Sequence, residues 1–176
     1  MPSEKAISRL DAFMQGGGTV LFDTRDQLTA SFSGSASSPE NQRLRDILHG
    51  LNIPPLEPVP PDHVLTKAFY ILDHFPGRYD GSPLWVEASV TAEDLPADRP
   101  VRSGDGVTPI MITGNDFAAA WALDDSGRPL FPTMSTDPLQ RIYAFRAGVN
   151  IVMYMLTGNY KADQVHVPAL LERLGQ

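Results

Sequence analysis

The sequence contains no cysteine, and this absence excludes several kinds of site from the chain. A thiol nucleophile, a disulfide and a zinc site built on thiolates all require cysteine. Basic residues are also scarce, because 14 Lys and Arg stand against 21 Asp and Glu and give a net charge of −7. A phosphate backbone repels a negative protein, so we expect no nucleic acid partner.

Long apolar segments are missing as well. The longest run, from Gly148 to Leu156, has about ten residues, whereas a membrane-spanning helix needs about 20. The first residues carry charges where a signal peptide needs an apolar centre. We therefore expect a chain that neither crosses a membrane nor carries its own export signal.

What the sequence does contain is the composition of one globular domain. It has 176 residues, of which 42% are hydrophobic and 9% aromatic, enough to bury a core. Apolar residues at helical spacing predict three helices, and short apolar runs predict three strands. The helices cover residues 4–15, 40–51 and 137–156, and the strands cover residues 19–24, 83–89 and 107–113. We interpret residues 1–176 as a single α/β domain with a mainly parallel sheet, which lacks one or more N-terminal strands.

Two segments of the predicted domain need separate treatment. Residues 53–63 hold five prolines, so this stretch is expected to be extended and unable to join a central strand. Residues 115–132 fit either a short Ala-rich helix, capped by Asn115 or Asp116, or a hairpin that turns at residues 125–127. We favour the hairpin.

The last long helix has two apolar faces and one polar stripe. One face comprises Ile142, Phe145, Val149, Val152, Met153 and Leu156, and the second comprises Ala144, Ala147, Gly148, Ile151 and Met155. Because the helix is apolar around most of its circumference, we expect it to be buried, with Gly158 closing it by a left-handed cap. The stripe of Arg146, Asn150 and Tyr154 must find polar partners. A final short helix is predicted from Pro168.

Several long motifs together resemble a known bacterial family. They are "LDAFMQGGGTVLFDTRDQ", "FYILDHFPGRY", "LWVEAS", "DGVTPIMITGNDFAAAWALDDSGRPLFP" and "QRIYAFRAGVNIVMYMLTGNYKADQVHVPALLERLGQ". The sequence is similar, over nearly its whole length, to the family DUF4159, a domain of unknown function.

The resemblance implies a fold and a setting that composition does not show. Domains of this family are grouped with class I glutamine amidotransferases and ThuA-like proteins, which implies a flavodoxin-like three-layer sandwich. They typically form the C-terminal, soluble part of a large membrane-anchored protein with a BatA-like N-terminal region, which implies the cell envelope. No established activity or cofactor comes with the family. Amidotransferase chemistry needs a cysteine nucleophile, so these 176 residues cannot supply it.

Polar residues after two predicted strands form the first candidate ligand site. Asp23 and Arg25 follow the strand at residues 19–24, and Asn115 and Asp116 follow the strand at residues 107–113. Ligands of open α/β sheets usually bind at the carboxyl ends of the strands, so the two groups are expected to line one pocket. The alternative is a capping aspartate with a surface ion pair.

The loop around residue 75 forms the second candidate site. Asp73, His74 and Arg78 lie close together in "DHFPGRYD", and loops are where binding residues concentrate. The alternative is a simple turn in which Asp73 pairs with Arg78. Asp73, His74 and Asp116 are the candidates for acid and base catalysis. The four histidines lack metal-ligand spacing, so we predict no metal.

Three functions remain open after these observations. We favour a non-catalytic interaction or ligand-binding module, whose partners are the rest of a larger membrane-anchored protein or other envelope proteins. The second is a hydrolase or carbohydrate-active enzyme related to ThuA-like proteins. The third is a structural domain that forms homo-oligomers, such as a homodimer. In this case Arg146, Asn150 and Tyr154 contact a partner chain. For Lys161, Asp163 and His166 we predict a role in docking the C-terminus or a partner.

Overall fold

The computed structural model describes residues 2–26, 39–88 and 107–158. The helices are α1 (Glu4–Gln15), α2 (Pro39–Leu48), α3 (Phe117–Trp121) and α4 (Gln140–Thr157), and the strands are β1 (Val20–Asp23), β2 (Leu56–Pro58), β3 (Trp85–Glu87) and β4 (Ile110–Thr113). A 3-10 turn at Val64–Thr66 lies between β2 and β3. The chain therefore has the α/β character that the sequence predicts.

The four described strands form one mixed sheet. Their spatial order is β1-β4-β3-β2, with β1 parallel to β4 and the other two neighbouring pairs antiparallel. The expectation of a mainly parallel sheet is thus not confirmed. A parallel connection needs a crossover, usually a helix, and the segment between β2 and β3 contains only the 3-10 turn. The Pro-rich stretch forms β2 at an edge of the sheet, as its missing N–H groups require.

Helices pack against both faces of the sheet because side chains of β4 alternate between two apolar clusters. Met111 points to a cluster that contains Ala147 and Ile151 of α4. Ile110 points the other way, to a cluster that contains Met14 of α1. This alternation follows from the period of two along a strand, and it places α1 and α4 on opposite faces.

The first helix begins and ends as the sequence predicts. The backbone N–H of Ala6 donates to the Ser3 hydroxyl over 3.3 Å, which satisfies one of the unpaired donors of the first turn. At the other end, Gly16 donates its N–H to Ala12. The next glycine, Gly17, has a φ of 91°, a conformation that residues with a side chain rarely adopt.

Residues 115–132 contain both of the structures that the sequence allows. Residues 117–121 form α3, which we did not favour, and a short hairpin follows it. The N–H of Asp124 donates to the Arg128 carbonyl over 2.8 Å, the N–H of Leu130 donates to the Ala122 carbonyl over 3.0 Å, and Leu123 forms an antiparallel bridge with Pro129. The helix α3 forms because its first backbone N–H groups donate to Asp23, a residue distant in the sequence. The local sequence pattern around residues 117–121 therefore cannot predict this contact.

The long helix α4 is buried on one of its two apolar faces only. Ala144, Ala147 and Ile151 pack into the core, as expected. Met155 of the same face is 41% accessible. On the other face, which we also expected to be buried, Met153 packs against the core, but the remaining five residues are between 38% and 77% accessible: Ile142, Phe145, Val149, Val152 and Leu156. We name these five residues the apolar stripe. Among the described residues, no helix combines the length and apolar character needed to cross a membrane.

The end of α4 differs in one detail from the prediction. Gly158 has the expected positive φ of 57°, but its ψ of −146° lies outside the left-handed helical region. Its N–H still donates to the Tyr154 carbonyl over 2.8 Å. The predicted helix from Pro168 lies outside the described residues.

Candidate functional site

The carboxyl ends of β1 and β4 meet through the side chain of Asp23. Its two carboxylate oxygens accept the backbone N–H groups of Asp116 and Phe117 over 3.0 and 2.6 Å. These are the unpaired donors at the start of α3, where a negative charge is favoured. Asp23 of one strand therefore fixes the helix that follows the neighbouring strand.

Burial raises the pKa of the Asp23 carboxyl above its ordinary value of 3.8. Backbone hydrogen bonds from Phe117, Asp116 and Arg25 lower the pKa, and the nearby charge of Asp116 adds to the rise. Because both oxygens accept backbone hydrogen bonds, Asp23 is suited to organising the strand ends rather than to taking a proton from a substrate.

The backbone is unusual at this same place. Arg25 and Asp116 have φ values of 56° and 58°, in a region that residues with a side chain rarely occupy. One of them follows β1 and the other follows β4. Such conformations persist only where the surroundings hold them, and they are concentrated at functional sites. The paired outliers therefore place constrained backbone at the ends of both strands.

The next described helices after these two strands lie on opposite sides of the sheet. Ile47 and Leu48 of α2 pack on the α1 side, whereas Phe117 of α3 packs on the α4 side. Ligands of open α/β sheets bind where neighbouring connections separate. Asp23 and Asp116 lie at this end of the sheet, and a ligand site there stays a prediction.

Asn115 ties the loop at residues 75–82 to the end of β4. Its side-chain amide is buried; the oxygen accepts the N–H of Ser82 over 3.0 Å, and the nitrogen donates to the carbonyls of Ser82 and Phe75 over 2.7 and 2.9 Å. The amide nitrogen thus has both of its hydrogens engaged. Asn115, a predicted ligand-binding residue, is used here to hold the fold.

Arg78 reaches the same strand end from the loop. Its guanidinium lies 3.9 Å from a carboxylate oxygen of Asp116 and stacks near the rings of Tyr79 and Phe131. Its backbone N–H donates to the Asp116 carbonyl over 3.1 Å. The structure therefore brings Arg78, Asn115, Asp116 and Asp23 together, and it pairs Arg78 with Asp116 instead of with Asp73.

Asp73 and His74 form a separate group on the surface. The Nδ1 atom of His74 pairs with Asp73, and its Nε2 atom lies 3.4 Å from a carboxylate oxygen of Asp80. The hydrogen bond with His74 lowers the pKa of the Asp73 carboxyl, which is 92% exposed. Within the described ranges, no hydrogen bond or ion pair joins this group to Asp116, so the three catalytic candidates do not share one site.

The polar stripe of α4 finds its partners inside the chain. The Asn150 amide oxygen accepts the N–H groups of Phe69 and Tyr70, and its nitrogen donates to the carbonyls of Leu65 and Tyr70, all within 3.2 Å. The Tyr154 hydroxyl accepts the N–H of Thr108 over 2.8 Å.

The third member of the polar stripe is Arg146. Its guanidinium lies over the rings of Tyr70 and Tyr143, at 5.2 and 5.5 Å from their centroids. Asn150 and Tyr154 are fully buried, so the contacts that we had assigned to a partner chain are, for these two residues, intramolecular.

Comparison with known families agrees with the resemblance seen in the sequence. The family described as "Domain of unknown function (DUF4159)" matches residues 1–156, which is most of the chain. The chain belongs to the DUF4159 family. No curated protein matches the sequence.

In this DUF4159 domain, sequence reasoning missed one buried residue of structural importance. Gln140, at the start of α4, donates its side-chain amide to the carbonyls of Gly77 and Arg78, both over 3.0 Å. A polar residue at the first position of a helix usually faces water, so nothing in the pattern separated it from a surface glutamine. Lys161, Asp163 and His166 lie outside the described residues.

The raised pKa of Asp23 leads to a pH-dependent prediction for the DUF4159 domain. Because the folded pKa lies above the unfolded one, Asp23 contributes stability that is fully present below pH 3.8 and lost as pH rises through the folded value. We expect the difference in unfolding free energy between wild type and Asp23→Asn to shrink from pH 3.5 to pH 7. Urea unfolding across this range measures it.

Asp124 is the control, because its pKa is shifted in the opposite direction. Hydrogen bonds from Ser126 and Arg128 lower the pKa of its carboxyl. Its contribution is therefore present above the unfolded value and lost as pH falls. A wild-type advantage over Asp23→Asn that grows towards neutral pH would show that the hydrogen bonds of Asp23 outweigh its burial.

Proposed function

We propose that this domain is a non-catalytic interaction module that docks against another polypeptide through the apolar stripe of α4. The observation that carries the proposal is the exposure of five large apolar side chains, of which Val152 is 53% and Leu156 is 77% accessible. Together they expose on the order of 500 Å² of apolar surface, the size of the largest apolar patch of a typical soluble protein, and such a patch is often a site of interaction.

The spacing within the apolar stripe suits a protein partner. Its residues follow one another at intervals of three, four, three and four positions. This is the spacing of the seam along which one helix packs against another, because it keeps the side chains on a single narrow face. The charged side chains of α4 are Arg141 and Arg146, and both are engaged within this chain: Arg141 donates to backbone carbonyls and Arg146 lies over two tyrosine rings.

The polar residues weigh against a catalytic role. Asp23 and Asn115 are engaged in hydrogen bonds with the backbone of this chain, and His74 has a carboxylate at each ring nitrogen. The hydrolase alternative, with Asp73, His74 or Asp116 as acid or base, stays a prediction with less support. A ligand role for the strand-end group, including Arg25, stays a prediction of the same kind.

The setting of the module rests on the resemblance. We propose that the domain belongs to a bacterial envelope protein with a BatA-like membrane-anchored part, and that its sheet is related to those of amidotransferases and ThuA-like proteins. Under this proposal the apolar stripe contacts the rest of that protein or another envelope protein.

Charged substitutions in the apolar stripe test the proposal. We expect Val152→Glu combined with Leu156→Glu to lower capture of the remaining parent polypeptide by about tenfold or more, because a docked carboxylate would lose its water. The melting temperature should hardly change, since both residues are exposed. Immobilised protein and quantitative pull-down provide the measurement.

Ile71→Glu is the matched control. Ile71 is also apolar and is 92% exposed, but it lies outside α4. Its substitution should leave capture unchanged. Equal capture by wild type and by the double variant would remove the apolar stripe from the docking surface.

A further inference from the structure

Strand β1 uses only one of its two edges in the described sheet. The N–H groups of Val20 and Thr24 donate to Pro109 and Thr113, on the side of β4, each over 2.9 Å. Successive residues of a strand direct their backbone groups to opposite sides. The N–H and C=O groups of Leu21 and Asp23 therefore point away from β4. Since β1 ends the sheet, no strand of the described ranges lies on that side.

The sequence of β1 is typical of a strand with a neighbour on each side. Three of its four residues are apolar, with Leu21 packing on the α4 side of the sheet and Val20 and Phe22 packing on the α1 side. Exposed edges are usually protected by proline, lysine or a bulge. β1 has neither residue, and its register with β4 is continuous. As far as the described residues show, the outer edge is therefore open to a further strand.

We propose that β1 pairs with β1 of a second copy of this chain, antiparallel, so that the two sheets become one. The proposal rests on the proposed function, since it names one partner of an interaction module. A two-fold axis through Phe22 places Leu21 of each copy opposite Asp23 of the other. Each of these two positions exchanges a pair of N–H to C=O hydrogen bonds, which satisfies all the outward backbone groups of β1.

The side chains support a second copy as the occupant. In this register Phe22 faces its own equivalent at a non-hydrogen-bonded position, where side chains come closest and aromatic pairs are favourable. Asp23 faces leucine, so no like charges oppose each other. The same axis keeps the α4 helices of both copies on one face of the joined sheet. A single short strand pair is a small interface, so we expect association in the micromolar range.

Amide exchange tests the pairing residue by residue. In wild-type protein, we expect exchange at Leu21 and Asp23 to slow by about tenfold or more between low and high micromolar concentration. Val20 and Thr24 are internal controls, because their N–H groups are bonded to β4 in a single copy. Light scattering should show the mass rising from 19.2 kDa towards twice that value. Concentration-independent exchange at Leu21 and Asp23 would overturn the proposal.

A backbone variant separates this pairing from docking through the apolar stripe. Leu21→Pro removes one outward N–H and keeps the bonds to β4, so it should abolish the rise in mass while circular dichroism stays that of wild type. A dimer that survives Leu21→Pro but is lost in the Val152→Glu and Leu156→Glu variant would overturn strand pairing and leave the proposed function standing. Protection of Leu21 only in the presence of a longer parent polypeptide would also overturn it, in favour of the N-terminal strand expected from the sequence.

Discussion

Replacing Asn150 with leucine is expected to lower the free energy of unfolding by about 3–5 kcal/mol. Leucine has a similar size, so the loss comes from the hydrogen bonds. The amide of Asn150 serves two backbone N–H groups and two carbonyls in residues 65–70, all of which are buried or partly buried and would lose this partner.

Val149→Leu is the matched control for Asn150→Leu. Val149 is the preceding residue of α4, receives the same new side chain and is 38% exposed. We expect its substitution to change stability by less than about 0.5 kcal/mol. Urea unfolding of the two variants and wild type gives the comparison. Equal stability of both variants would mean that water replaces the Asn150 amide without cost.

The second large effect is expected for Gly77→Ala. A Cβ atom at this position would lie 2.2 Å from the carbonyl oxygen of Asn115 and 2.8 Å from its carbonyl carbon. Both are backbone atoms, so no side-chain rotation relieves the clash, and the loop at residues 75–82 must move away from β4. We expect a loss of about 3 kcal/mol or more.

Gly16→Ala is the control for Gly77→Ala. The Cβ at Gly16 would meet its nearest atom, the Ala12 carbonyl oxygen, at 3.3 Å, and its φ of −78° suits alanine. Its effect should stay below about 1 kcal/mol. Thermal unfolding and a proton–nitrogen NMR spectrum distinguish the two outcomes, because only Gly77→Ala should shift signals of Asn115 and Asp116. Unchanged signals there would show that the loop does not depend on this close approach.

Much of the secondary structure could be predicted because its causes are local. The Ser3 cap, the glycines after α1 and the apolar run of β1 each act within a few residues, and all three are found as expected. The end of α4 at Gly158 is local in the same way. Prediction failed where the cause lies far away in the chain, as for α3, whose first N–H groups depend on Asp23.

The position of the candidate site could be predicted from the sequence, but the contacts that its residues make could not. The strand ends after β1 and β4 meet as expected, because parallel neighbours end at the same edge. The pairing of Arg78 with Asp116, the burial of Asn115 and the exposure of the apolar stripe depend on how the loop and α4 are placed in three dimensions. Apolar periodicity identifies a face of a helix, but it does not say whether this chain or another one covers that face.

The conformation of the irregular segment between residues 65 and 82 depends mostly on side chains that lie outside the segment. Its turns are held by amides from three distant positions, Asn115, Gln140 and Asn150, which replace the ladder of a regular element. Outward side chains such as Phe69 and Ile71 take no part in these bonds through their side chains and are strongly exposed. Substitutions at these outward positions can therefore change the surface chemistry of the segment while its path stays the same, in the way that a framework supports a variable loop.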